Sequence, residues 1–341
     1  MGSARARSRF AKNRAALLGF VIVLLLVLFA TVGPLIAPHG AFESDFTRGM
    51  TRANTPSGPS SAFWLGADTL YRDVFARLAR GARLSLLIGF AATMIASVIG
   101  ATVGILAGYF EASEGVRVPW TLAFAPVACV LALIFGHASW GLVALGLAVF
   151  ASGPAHLAKI EALRAGPRIN LDSALMRVVD VGLAFPFLLL IMAIGAALDR
   201  TTATTILLTL GLTGWLGTAR IIRAKTIQVR SLDFITAARA LGQSTPKILA
   251  HHVLPNVAGP LIVIATISVA QMIVAESVLS FLGAGISPPT PTWGHMLYEG
   301  QAFYASAPWL LIAPGAAILL AVLGFNLLGE GLRDALDPKE D

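Results

Sequence analysis

Six long, mostly apolar stretches, 15–36, 82–110, 174–198, 203–222, 257–284 and 308–329, dominate this chain. Each is long enough to cross the hydrocarbon of a bilayer, which takes about 20 apolar residues wound as a helix. Lipid offers the backbone no hydrogen-bond partner, so such runs must satisfy their own N–H and C=O groups, as a helix does. Composition agrees: only 13% of the 341 residues are charged and 56% are hydrophobic, against about 25% and about half in a soluble domain. The expected fold class is an all-α polytopic membrane protein. Two weaker runs, 119–136 and 140–153, suit an additional membrane hairpin and raise the expected count to about eight spans.

Charge placement orients the spans. Arg5, Arg7, Arg9, Lys12 and Arg14 precede the first run, and no acid appears before Glu43. Basic residues favour the cytoplasmic side, so segment 1–14 is expected inside. Alternation then puts 37–81 outside, 154–173 inside with Lys159, Arg164 and Arg168, and 223–256 inside. Loop 285–307 falls outside and contains no Lys or Arg, and the C-terminus returns to the cytoplasm. Loop 37–81 is the exception, with Arg48, Arg52, Arg72, Arg77 and Arg80 against Glu43, Asp45, Asp68 and Asp73. Its Pro, Ser and Gly content suits a loop. Val74 and Leu78 with Arg77 and Arg80 suit an amphipathic helix on the membrane surface. The 15–36 run exceeds the 7–15 residues of a typical signal-peptide core, so an uncleaved anchor is expected. The basic residues are scattered between apolar runs, which disfavours nucleic acid as a partner and leaves membrane lipid as the surrounding medium.

Between two of the spans lies the polar segment 231–256. Ser231 is placed to cap a short helix, with Asp233 in its positive first turn. Leu232, Ile235 and Ala238 or Arg239 share one face at helical spacing, and Ala237–Ala238 permits close approach. Gly242 suits a left-handed stop. Ser244 or Thr245 then caps a second helix with Pro246 near its first position, and Pro255 is expected to end it. A helix–turn–helix knob results, with an ordinary solvated loop as the alternative.

The stretches "AARALGQS" (237–244) and "ILAHHVLPN" (248–256) resemble the coupling loop of binding-protein-dependent ABC importer permeases. "LGADTLYRDVFARLARGARLSLLIGF" (65–90), "MRVVDVGLAFPFLLL" (176–190), "AESVLSFLGAGISPPTPTWGHMLYEG" (275–300) and "FNLLGEGLRDALDP" (325–338) resemble the oligopeptide, dipeptide and nickel branch, in the family's order. The pattern is similar to the C-type subunit of that branch. The resemblance implies a six-helix permease core over 82–341, with 111–175 as an insertion where the family has a short connection. It implies ATPase coupling through Asp233, Phe234, Thr236, Ala237, Ala238, Arg239, Leu241 and Gly242. Thr236 stands where the family carries a glutamate, so no carboxylate acts there. The implied partners are a second homologous permease, two ATPase subunits and an external solute-binding protein, in a bacterial inner membrane. The implied cargo is a peptide or related small solute, nickel included.

The chain's own chemistry is spare. A phosphate-binding loop needs a Gly-Lys pair before Ser or Thr, and no Gly-Lys dipeptide occurs here. ATP is therefore expected on partner chains, with no cofactor and no catalytic set in this one. Cys129 is the only cysteine, which rules out an intrachain disulfide. Adjacent His251 and His252 point apart on a helix and read as surface or interface groups rather than metal ligands. Asp180 and Glu276 lie within apolar runs, where a charge costs about 2.5–3.5 kcal/mol on insertion scales. Each suits either a pathway or helix packing, with Arg177 one turn from Asp180 as a natural ion partner. Pro186, after Phe185, should kink its helix. A proton-coupled secondary transporter relaying through Asp180 or Glu276 is the competing reading, and an assembly or anchoring subunit is a third.

Overall fold

The computed structural model describes residues 9–111, 116–117, 168–196 and 201–336. The chain divides into two compact units, 1–105 together with 179–341, and 106–178. Among the described residues five helices are long and apolar enough to cross a membrane, and a bent pair makes a sixth.

In the first unit, α1 (Arg14–Ile36) starts at Asn13, whose side chain accepts from the Ala16 N–H. Asn13 Nδ2 also donates to Asp334 Oδ2 at 2.9 Å, tying the start of α1 to the end of α11 (Trp309–Leu336). The two helices pack through small residues. A Cβ placed on Gly19 would lie 2.5 Å from the Leu328 nitrogen. Such close backbone approach supplies the dispersion contacts that associate helices in lipid. Leu17, Leu18, Leu24, Leu25 and Leu28 remain exposed on α1, as a bilayer-facing surface requires.

Helix α2 runs without a break from Val74 to Tyr109. The second span therefore begins well before residue 82, and the surface amphipathic helix expected from Val74, Arg77, Leu78 and Arg80 is not what forms. Val74 and Arg77 are fully buried and Leu78 nearly so. The helix can start there because acids from other elements neutralise Arg77. The segment before it, residues 37–73, has isolated bridges such as Ser44 with Arg72 and Ala67 with Asp73, but no helix of its own. Asp73 Oδ1 accepts from the Phe75 and Ala76 N–H groups and caps α2.

The run 174–198 is not one straight helix. Helices α3 (Leu171–Ala184) and α4 (Phe187–Ala196) meet at an 83° bend across Phe185 and Pro186. Proline has no N–H to give the preceding turn, and its carbonyl instead starts α4 by accepting from Leu190 N. Helices α5 (Ala203–Thr213) and α6 (Trp215–Arg230) form the next span, stepping at Gly214 and reaching well past residue 222. Then come α7 (Asp233–Ala240), α8 (Thr245–Ile248), a π-helical turn Leu249–Val253 and α9 (Leu254–Phe281). Pro255 does not end a helix as expected. Residues 245–281 form one continuous span. The Leu254 N–H bonds to Leu249 O, five residues back. A π turn widens the ladder just ahead of the proline ring, whose missing N–H falls there without breaking the rod.

The short helix α10 (Trp293–Gly300) is wedged among the spans. Trp293 is fully buried, and its indole N–H donates to Leu78 O at 3.2 Å. It centres one apolar core with Leu26, Val74, Met296 and Leu310; a second joins Ile88, Ile191, Leu210, Met272 and Leu279.

In the second unit, β1 (Val116–Arg117) pairs antiparallel with β2 (Arg168–Ile169), Val116 opposite Ile169. This two-residue ladder is a departure from an all-helical chain among the described residues. The runs 119–136 and 140–153 lie outside the described residues, as does most of the insertion 111–175.

Candidate functional site

A cavity of about 530 Å³ opens among α3, α4, the end of α5, α6, α9 and α11. Phe185, Phe187, Leu216 and Met272 give it an apolar wall, and Thr213, Gln271 and Asn326 supply its polar side chains. No charged residue lines it. Its volume is in the range of sites that enclose small organic molecules, about 300–1,000 Å³. The bend at Pro186 shapes the wall by turning Phe185 and Phe187 onto it.

Just beyond the cavity, Arg220 Nη2 of α6 donates to Asp180 Oδ1 of α3 at 2.5 Å. Asp180's ion partner is Arg220, a residue the sequence did not single out, rather than Arg177. The reason is a close approach of helices: a Cβ on Gly182 would lie 2.6 Å from Leu216 Cδ1, so a short aspartate reaches across. Both side chains are more than half exposed, Arg220 at 56% and Asp180 at 62%.

Glu276 is different. It is fully buried, its Oε2 accepting from Ser85 Oγ at 3.1 Å and its Oε1 from Ser280 Oγ at 2.8 Å. Thr292 Oγ1 adds a 3.3 Å contact to Ser280 Oγ, and the Trp293 N–H reaches Ser85 Oγ at 3.5 Å. The carboxylate therefore links α2 and α9 and, through Ser85 and Ser280, reaches the start of α10. It does not line the cavity.

The knob is present, with altered caps. Leu232 is the N-cap of α7 without a side-chain bond, and Ser231 Oγ donates backward to Gln228 O at 2.9 Å. Ser231 thus closes α6 instead of opening α7. Ile235 and Ala238 face inward, while Asp233, Phe234, Thr236, Ala237, Arg239, Leu241 and Gly242 are exposed. Ala238 is therefore a packing residue of the knob, not part of its outer face. Gly242 has φ +72°, and the bonds Gly242 N to Arg239 O and Gln243 N to Ala238 O complete a Schellman stop. Leu241, 87% exposed, is left at the tip. His252, in the π turn, meets Oε1 of Gln243, in the turn after α7, at 2.9 Å.

Comparison with known proteins bears directly on this arrangement. Residues 161–341 match the family model "Binding-protein-dependent transport system inner membrane component", and residues 3–56 match "N-terminal TM domain of oligopeptide transport permease C". The chain belongs to the binding-protein-dependent permease family. It is 34% identical to a dipeptide transport system permease of Alkalihalophilus pseudofirmus, over 96% of this chain and 87% of the relative. It is 36% identical to a di/tripeptide transport system permease of Pseudomonas aeruginosa, over 97% and 90%. A glutathione transport system permease of Pectobacterium atrosepticum is 33% identical over 97% and 89%. The chain is thus a multi-pass permease component of an ABC importer.

The permease carries one more constellation, at the N-terminal end of α2. Arg72 Nε bonds Asp68 Oδ2 at 2.7 Å and its Nη2 bonds Glu299 Oε1 at 3.0 Å. Arg77 Nη2 bonds Glu299 Oε2 at 2.6 Å, and its Nε lies 3.2 Å from Asp68 Oδ2. His295 Nε2 stands 3.4 Å from Glu299 Oε1. Burial alone would raise the Glu299 carboxyl; His295, Arg77 and Arg72 outweigh it and hold the group down at about 2. This clasp explains two of the arginines that broke the charge bias of loop 37–81: Arg72 and Arg77 are buried and neutralised. Arg80 lies over the Phe42 ring, 5.5 Å from its centroid. The signal was available as an excess of arginine beside Asp68, but Glu299, more than 200 residues later, carried no local mark.

Proposed function

We propose that this permease moves peptides or closely related small solutes inward, receiving them from an external binding protein and taking its work from a pair of ATPase subunits, one of which docks on the knob. The carrying observation is the knob's outer face: Phe234 and Leu241 stand exposed on a rigid, glycine-stopped helix, in a chain whose relatives are named as dipeptide, di/tripeptide and glutathione permeases. An apolar tip of this kind favours insertion into a cleft of a partner. The cavity lined by Phe185 and Gln271 serves as this chain's half of a solute route shared with a second, homologous permease. Its uncharged wall suits cargo recognised mainly by the binding protein. Both termini and the knob face the cytoplasm in this reading, as the basic residues of 1–14 and 220–247 favour.

Proton relay through Glu276 is disfavoured, because both carboxylate oxygens are bonded within the helix packing. The test is reconstitution of the complete importer in vesicles. ATP and binding protein together should drive uptake of a labelled dipeptide, and a proton gradient alone should not. Leu241→Asp should abolish ATPase copurification while the permease still inserts. Uptake by the permease alone in a proton gradient would overturn the reading.

A further inference from the structure

We propose that the Asp180–Arg220 ion pair is a gate at the knob end of the solute cavity, closed when paired and opened when knob movement carries α6 away. The inference rests on reading the cavity as the solute route. Along α6, Leu216 and Gly217 line the cavity and Arg220 follows within one turn, on the side leading to the knob. Along α3, Asp180 stands two residues before Gly182, the first of the lining residues Gly182, Leu183 and Phe185. The pair therefore spans the two helices where the cavity stops. Leu216 packs closely over Gly182, and both line the cavity.

The connections on each side suit movement. Helix α6 continues unbroken from Arg220 to Arg230, and only Ser231 and Leu232 separate it from α7. A displacement of the knob thus reaches Arg220 along a single rod. Helix α3 ends shortly after Asp180 at the 83° bend, so Asp180 sits on a short arm with its own hinge. The strength of the link also suits switching. One bond joins two side chains that are each more than half exposed in the single chain, and a pair outside the packed core is worth about 1 kcal/mol or less. A buried, multiply bonded pair would not release on a conformational stroke.

The complete importer in vesicles loaded with radiolabelled dialanine tests this. Without ATP, Asp180→Asn and Arg220→Gln should each raise passive release about fivefold, the factor that about 1 kcal/mol provides. Each should also raise ATP hydrolysis in the absence of binding protein. The exchange Asp180→Arg with Arg220→Asp should restore tightness. Single variants as tight as wild type, or an exchange no better than the singles, overturn the gate. A second arm is independent of those variants. Asp180→Cys with Arg220→Cys, in a Cys129→Ser background, is bridged by a reducible bis-thiol reagent. Bridging should stop ATP-driven uptake and reduction should restore it; full uptake in the bridged complex overturns the gate. Failure of the unaltered importer to take up dialanine counts against the transport reading instead, and the hydrolysis measurement then still decides whether the pair restrains the knob.

Discussion

The clasp of Asp68, Arg72, Arg77 and Glu299 and the pair Asp180–Arg220 both join separate helices or loops by charge, yet they are built differently. In the clasp, Arg77 is fully buried and each arginine meets both acids. In the pair, a single contact links two exposed side chains. Buried charges that lose a partner cannot turn to water, so a network of this kind locks its elements. Exposed charges can, so a lone pair sets a preference and no more. The clasp fixes loop 37–73 and α10 to the start of α2. The pair adds one contact between α3 and α6.

The sharpest way to break this contrast is Arg77→Met. Removal of one partner from a buried network costs about 3–5 kcal/mol, and a matching fall in thermal stability of the purified permease in detergent is expected. An unchanged melting temperature would place the clasp with the surface pairs. Acid provides the next test. The Glu299 carboxyl is lowered from 4.5 to about 2, so the stability it contributes is complete above the unfolded value and is lost as pH falls from there towards 2. Melting temperature followed from pH 7 downward should decline through that window, and Glu299→Gln should remove this part of the decline. A wild-type curve already falling above pH 5 would assign the acid response to other groups.

Glu276 asks whether a buried acid within the spans behaves like the clasp. Glu276→Leu leaves Ser85 and Ser280 without their acceptor, at a cost of about 1–3 kcal/mol. Glu276→Gln keeps size and one acceptor and should retain assembly and transport. Transport lost in an intact, ATPase-competent Gln variant would instead reveal a proton relay. The smallest stability effect belongs to Asp180→Asn, under about 1 kcal/mol by the same thermal assay. Its consequence should appear in leakage rather than in melting, and a large melting shift would mean that α3 and α6 are locked after all.

By itself the sequence determined the membrane class, the apolar runs that became spans, the bend at Pro186, the left-handed stop at Gly242 and the permease family. These are local signals: run length, a missing N–H, a tolerated positive φ, a motif in order. Tertiary structure decided the rest. Helix α2 starts at Val74 because Asp68 and Glu299 neutralise Arg77 from outside the helix, Glu299 from 222 residues away. Pro255 continues a helix because the turn before it widens into a π turn. Ala238, legible as part of a small-residue face, is buried because Ile235 and Ala238 together pack the knob down. Asp180 found Arg220, 40 residues on, over the nearer Arg177, because Gly182 lets two helix backbones approach. A charge in an apolar run announces that it needs a partner or a polar surface, since lipid offers it no solvent. Which partner it takes depends on the helix that packing brings alongside, and that is a property of the folded chain alone.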